Sequence, residues 1–92
     1  MISDKIKSQG ELHKGYIVGM KFIDDIDLCV DVYFDGNVHS VMDNSFIEIF
    51  DYFDNCYSNE NGCIFVEGIS VDVYVSKDGV YLDLDSVKKE KM

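Results

Sequence analysis

The chain has 92 residues, of which 47% are hydrophobic and none is proline, and its formal net charge at pH 7 is −10. A chain of this length predicts one domain around one core, and its apolar content excludes the highly charged disordered class. The chain contains 18 acidic residues and 8 lysines, and arginine is absent. This negative charge argues against direct binding to nucleic acid or an anionic membrane and favours a cationic protein as partner.

The negative charge is concentrated in the middle of the chain. Residues 15–85 contain 15 acids and two lysines. We therefore predict a flexible or briefly helical segment at 1–14, a single acidic domain at 15–85 and a lysine-bearing tail at 86–92. Residues 1–15 contain no long apolar run, which predicts neither a secretory signal nor a membrane span and indicates a cytoplasmic protein.

The first two predicted strands form a hairpin. Tyr16–Ile23 precedes the stretch DIDLCVDVYFD at 25–35, which alternates apolar and acidic side chains almost strictly. A three-residue loop at 23–25 would set Phe22 opposite Ile26 and place apolar residues opposite each other. The other face would carry a row of carboxylates: Asp25, Asp27, Asp31 and Asp35.

The spacing of this row resembles that of a nucleic-acid backbone. Side chains two residues apart on a strand are roughly 6.6 Å apart, and neighbouring B-form phosphates are roughly 7 Å apart. The row therefore predicts a mimic of DNA phosphates.

A third strand and a helix follow. Asp-Gly-Asn at 35–37 predicts a tight turn into Val38–Met42. Ser45 and Glu48 form a capping-box pattern for a helix over Ser45–Tyr57, and six apolar residues recur at helical spacing: Phe46, Ile49, Phe50, Phe53, Cys56 and Tyr57.

The opposite face of this helix predicts a second acidic stripe, formed by Glu48, Asp51 and Asp54. Ile47 lies inside the stripe. It is either one of the scattered exposed apolar residues found on every protein or an anchor for a partner or a second subunit.

The last third of the chain predicts a β-meander. Cys63–Glu67 and Ile69–Ser76 are apolar strands, and a turn at 78–79 folds the next strand back. This register sets Asp72 opposite Asp85, with Asp83 on the same outer face. Opposed carboxylates destabilise a sheet, so we expect a cationic partner to relieve them.

These elements predict an α+β fold. Its mostly antiparallel sheet has five to six strands in β-hairpins and a C-terminal β-meander, and one amphipathic helix covers the apolar face with Phe50 buried.

No catalytic or metal-binding motif is present. Cys29, Cys56 and Cys63 form no CxxC pair, and His13 and His39 lack ligand spacing. No calcium loop, phosphate loop, GxSxG or HExxH sequence occurs. We expect a non-enzymatic protein without catalytic residues, metal or cofactor.

In size, acidity and acidic stripes, residues 15–85 resemble the small acidic inhibitors of phages and mobile elements that block restriction enzymes, CRISPR nucleases or nucleoid proteins. The resemblance implies an inhibitor that mimics the DNA backbone and competes with nucleic acid for a cationic DNA-binding protein or nuclease. The alternatives are an immunity protein or acidic regulator that plugs the basic active site of one cognate toxin or enzyme, and a structural or oligomerisation module. Exposed sheet edges also predict a homodimer.

Overall fold

The computed structural model describes residues 4–52, 56–58 and 62–91, and the side chains of residues 4–48 and 68–87. In chain order the elements are helix α1 (Asp4–Gln9), strands β1 (Glu11–Phe22), β2 (Leu28–Phe34) and β3 (Asn37–Met42), a 3₁₀ helix (Asn44–Tyr52), strands β4 (Cys56–Ser58), β5 (Gly62–Ser76) and β6 (Gly79–Asp83), and helix α2 (Leu84–Lys91). The strands form one antiparallel sheet, which confirms the α+β class. The predicted segment boundaries after residues 14 and 85 fall inside β1 and α2.

The sheet is built around β5, which is a single strand rather than the two predicted. The strand order is β3-β2-β1-β5, and the far side of β5 pairs with β4 near its start and with β6 near its end. Gly68 has a φ of +78°, and an added Cβ there would lie 3.2 Å from the Tyr16 Cβ. Glycine therefore permits the bend that joins the two halves of β5.

The β1–β5 pairing is interrupted at this bend. Ile17 pairs with Ile69 whereas Gly19 pairs with Ile64, so Val18 faces an irregular stretch of β5. Such irregularities bend and twist a sheet. The edge strands β3 and β6 line one cleft.

The core lies on one face of the curled sheet. Val30, Val32, Val73 and Leu82 occupy apolar positions of the alternating pattern on this face and are buried. Phe46 of the 3₁₀ helix and Val87 of α2 pack against it and are fully buried. The loose tail predicted at 86–92 was therefore wrong over α2, because Val87 anchors it. The side chain of Phe50 lies outside the described side chains.

The β1–β2 hairpin has a longer loop than predicted. Ile23 donates its backbone N–H to the Asp27 carbonyl at 2.8 Å, and Phe22 pairs with Leu28 instead of Ile26. The Asp24 carboxylate accepts the N–H groups of Ile26 and Asp27 at 2.9 and 2.8 Å. This turn holds residues 23–27 outside the strands and leaves Ile26 72% exposed.

The β5–β6 hairpin is also shifted by two residues. Ser76 pairs with Gly79, and the Ser76 hydroxyl accepts the N–H of Asp78 at 3.1 Å, so the turn lies at residues 77–78. Asp72 consequently faces Asp83 rather than Asp85. A shift of two residues keeps the paired side chains of β5 and β6 on their predicted faces, whereas Leu84 and Asp85, which we predicted in the strand, lie in α2.

The predicted helix over Ser45–Tyr57 is a shorter 3₁₀ helix that begins at Asn44. Asp43 caps it, since its carboxylate accepts the Ser45 N–H at 3.1 Å and its carbonyl accepts the Phe46 N–H at 3.2 Å. Ser45 therefore does not serve as the cap. Cys56 and Tyr57 belong to β4, and Phe53 lies outside the described residues.

Candidate acidic cleft

A cleft of about 490 Å³ separates the two edges of the curled sheet. One wall comes from the end of β3 and the 3₁₀ helix, and the other comes from β6 and the start of α2. Its lining residues are Val41, Met42, Asp43, Ser45, Glu48, Val80, Tyr81, Leu82, Asp83, Leu84 and Asp85. The lining thus combines apolar side chains with four carboxylates and, among the described residues, contains no lysine.

The carboxylates in the cleft come from both walls. Asp43 holds the start of the 3₁₀ helix and also receives the Ser45 hydroxyl hydrogen bond, and exposed Glu48 follows one turn later. Asp83 ends β6 and accepts the N–H of Asp85 at 3.2 Å. Asp85 lies in the first turn of α2, where the helix dipole stabilises a negative charge.

Asp83 is the most buried of these carboxylates, with 7% of its surface exposed. Lys7 of α1 lies 3.5 Å from it. The negative charge of Asp83 raises the pKa of the Lys7 ammonium, with a smaller contribution from Asp85. Part of the negative charge beside the cleft is therefore already balanced by the N-terminal helix.

Of the predicted partner-binding residues whose side chains the structure describes, three line the cleft: Glu48, Asp83 and Asp85. The predicted row along the second strand does not form. Asp25 and Asp27 lie in the β1–β2 loop, and Asp35 lies in the β2–β3 turn with a φ of +54°. The row fails because the Asp24 turn and the Asp-Gly turn take both ends of the predicted strand out of the sheet.

The carboxylates that remain on the outer face of the sheet have partners within the chain. Asp31 accepts the Ser40 hydroxyl at 2.7 Å, and Asp72 lies 2.6 Å from the Lys14 ammonium. Asp27, in the β1–β2 loop, likewise accepts the Asn44 side-chain amide at 3.4 Å. Asp51 belongs to the 3₁₀ helix with its side chain undescribed, and Asp54 lies outside the described residues.

The outer face also carries an apolar row that we did not predict. Tyr16, Tyr33 and Val38 are direct neighbours across β1, β2 and β3, and 49%, 43% and 57% of their surfaces are exposed. Tyr33 lies on the strand face that we assigned to carboxylates. Its position on that face was the feature of the sequence that could have indicated the apolar row. Ile47, the predicted apolar anchor, is 43% exposed.

No family model, curated protein or solved structure matches this chain. Among the described residues, no group of three or more histidine, cysteine or acidic side chains is placed to hold a metal ion. Within the same residues, no helix has the length and apolar character that crossing a bilayer requires.

Proposed function

We propose that this protein is a non-enzymatic cytoplasmic inhibitor that binds the cationic, nucleic-acid-binding surface of another protein or nuclease. One observation carries the proposal: four acidic residues from separate parts of the chain line one cleft together with apolar residues such as Val80 and Leu82. A net charge of −10 steers such a surface toward a cationic partner and increases the rate of encounter.

The composition of the cleft favours specific recognition of one cognate partner. An immunity protein or an acidic regulator would bind its partner in this way. Mimicry of DNA along its length requires regularly spaced and freely presented carboxylates. Here the row predicted along the second strand is interrupted by turns at both ends, and Asp31 and Asp72 are engaged within the chain. A cleft that combines Leu82 and Val80 with Glu48 and Asp85 instead offers the mixture of apolar and charged contacts typical of a specific interface.

Mimicry of the phosphate backbone is the second candidate, and the surplus of exposed carboxylates supports it. Asp24, Asp25, Asp35 and Glu48 are all exposed. A protein that acts in this way would compete with duplex DNA for any groove of suitable width, whereas a cognate inhibitor would bind one partner.

A pull-down from a lysate of the source cells tests the proposal and separates the two candidates. The bait is the wild-type protein, a cleft variant (Glu48→Gln with Asp85→Asn) or a matched control (Asp25→Asn with Asp35→Asn) that removes the same charge elsewhere. We expect a DNA-binding protein or nuclease that elutes late in a salt gradient and is lost with the cleft variant. Capture of no cationic protein, or capture by both variants as strong as by the wild type, would contradict the proposal.

Competition with duplex DNA then identifies the mode of binding. If the captured partner is displaced by any duplex and binds both variants less well, backbone mimicry is the better account. If DNA competes weakly and the control variant binds normally, the partner recognises the cleft itself.

The homodimer remains a prediction. The apolar row at Tyr16, Tyr33 and Val38 supports it, because nearby Asp72 is neutralised by Lys14 and repulsion between two copies would be smaller there. Sedimentation of the wild type and of Tyr33→Lys at high salt measures this directly, and monomer mass for the wild type would contradict it.

A further inference from the structure

Two outermost strands line the acidic cleft. Among the described residues β3 pairs only with β2, and β6 pairs only with β5. The outer side of such a strand presents backbone N–H and C=O groups that its own sheet does not pair. An extended segment entering the cleft can form hydrogen bonds with these groups and extend the sheet.

β6 offers the longer edge to such a segment. Residues 80–83 of β6 all line the cleft, whereas β3 contributes only Val41 and Met42 at its end. Extended strands of about five or six residues are the commonest in proteins, so the length of β6 is sufficient for one added strand.

The lining of the cleft defines the side chains of the segment. Successive side chains of an added strand point to opposite faces. One set would lie beside Val80 and Leu82 on the core face of β6, and the other would lie beside Tyr81 and Asp83 on the outer face. Glu48 and Asp85 line the same cleft from the 3₁₀ helix and from α2. Lysine and arginine also suit a mixed lining, because their aliphatic stems pack on apolar surface while the charged ends reach carboxylates.

We propose that the cleft binds an extended basic segment of the partner, with alternating apolar and lysine or arginine residues, by addition of a strand to β6. This inference rests on the proposed function and names the part of the partner that is recognised. A second copy of this chain fits the cleft poorly, since neither β3 nor β6 contains a lysine and each copy carries a charge of −10.

Synthetic peptides test the inference without knowledge of the partner. The probe is a capped peptide of about six residues that alternates lysine and valine. Its control has the same composition with the lysines and valines in separate blocks. Two further versions of the probe carry backbone N-methyl groups on one or the other set of alternate residues, which removes the N–H groups that face one edge.

Calorimetry and amide NMR of the full chain provide the readouts. We expect the alternating peptide to bind about tenfold or more tightly than the block peptide. One N-methylated version should lose binding and the other should retain more of it, because an added strand pairs with β6 through one edge. The alternating peptide should protect the β6 amides from exchange, and the cleft variant should bind it more weakly than the matched control.

Equal binding of the alternating, block and both N-methylated peptides would overturn strand addition while leaving the acidic cleft as a charge-based site. Binding of none of the peptides would also overturn it. In either case the pull-down still decides the proposed function separately, because it does not depend on how the partner enters the cleft.

Discussion

Asp72 of β5 lies directly opposite Asp83 of β6, and each carboxylate has its own lysine. The Lys14 ammonium is 2.6 Å from Asp72, and the Lys7 ammonium is 3.5 Å from Asp83. The Ser86 hydroxyl further joins these strands, since it accepts the Asp72 N–H at 2.9 Å and donates to the Asp83 carbonyl at 2.7 Å. The like-charge repulsion that we expected a partner to relieve is therefore relieved within the chain.

Removal of these lysines should destabilise the fold. Lys14→Met should lower the free energy of unfolding by about 1 kcal/mol or less, as expected for an exposed ion pair, and the double variant with Lys7→Met should be less stable than either single variant. Asp72→Asn should restore much of the loss, because it removes one of the two opposed charges. Urea denaturation measures each value, and a double variant as stable as the wild type would contradict this account.

The β1–β2 loop should respond to acid. Backbone hydrogen bonds from Ile26 and Asp27 lower the pKa of Asp24 below its usual value of 3.8. A carboxyl with a lowered pKa in the folded state stabilises the protein above its unfolded pKa, and this contribution is lost as the pH falls through the folded pKa. Thermal unfolding of wild type and Asp24→Ala should therefore differ at neutral pH and converge in acid. A stability difference between the two proteins that stays constant down to the most acidic pH would contradict this role of the Asp24 carboxylate.

The Lys7 ammonium should show the opposite dependence on pH. Its pKa is raised by Asp83, so its contribution is complete below the pKa of the unfolded chain and disappears as the pH rises through the folded pKa. The stability difference between wild type and Lys7→Met should therefore decrease only in strongly alkaline solution. A difference that vanishes near neutral pH would exclude the ion pair as its cause.

Two neighbouring residues of the 3₁₀ helix should differ sharply in their effect on stability. Phe46 is 0% exposed and belongs to the core, whereas Ile47 is 43% exposed. Phe46→Ala should cost about 3 to 5 kcal/mol, and Ile47→Ala should change stability by about 0.5 kcal/mol or less. Similar costs for the two variants would show that the helix packs by another face.

His39 allows a measurement of how much one buried, unpaired nitrogen atom reduces the stability of the fold. Its ring stacks on Phe34 at a centroid distance of 4.2 Å, and its Nε2 atom is buried with no hydrogen-bond partner among the described residues. His39→Phe should preserve the stacking and remove the unpaired polar atom. We expect it to raise the free energy of unfolding by about 1 kcal/mol, and a loss of stability would show that the nitrogen is satisfied in solution.

The alternation of apolar residues was sufficient to predict the fold class and the core faces of β2, β5 and β6. It was insufficient for the registers, because a two-residue shift preserves the alternation. The registers depend on individual side chains, namely the Asp24 carboxylate and the Ser76 hydroxyl. Helix α2 was missed because residues 85–91 contain one apolar residue, Val87, and one apolar residue produces no periodic pattern.

The candidate site was only partly predictable, because a local sequence pattern does not show which distant residues come together. Glu48 and Asp85 were recognised as acidic candidates from local patterns, but their meeting in one cleft depends on the curl of the sheet. The β1–β5 pairing is irregular beside Val18 and Gly68, and such irregularities bend a sheet. A glycine in the sequence allows a bend there but does not specify which distant strands then line one cleft. Asp43 was not selected because its position at the cleft follows from its role as a helix cap.

The most direct test of the acidic cleft is the affinity of the captured partner for three forms of the protein. These are the wild type, Glu48→Gln with Asp85→Asn, and the matched control Asp25→Asn with Asp35→Asn, each confirmed as folded by circular dichroism and titrated by calorimetry at low and high salt. We predict that the cleft variant loses about tenfold or more in affinity and that the control stays within about threefold of wild type. Equal losses of affinity in the two variants would contradict a defined cleft, because recognition would then depend on the whole acidic surface.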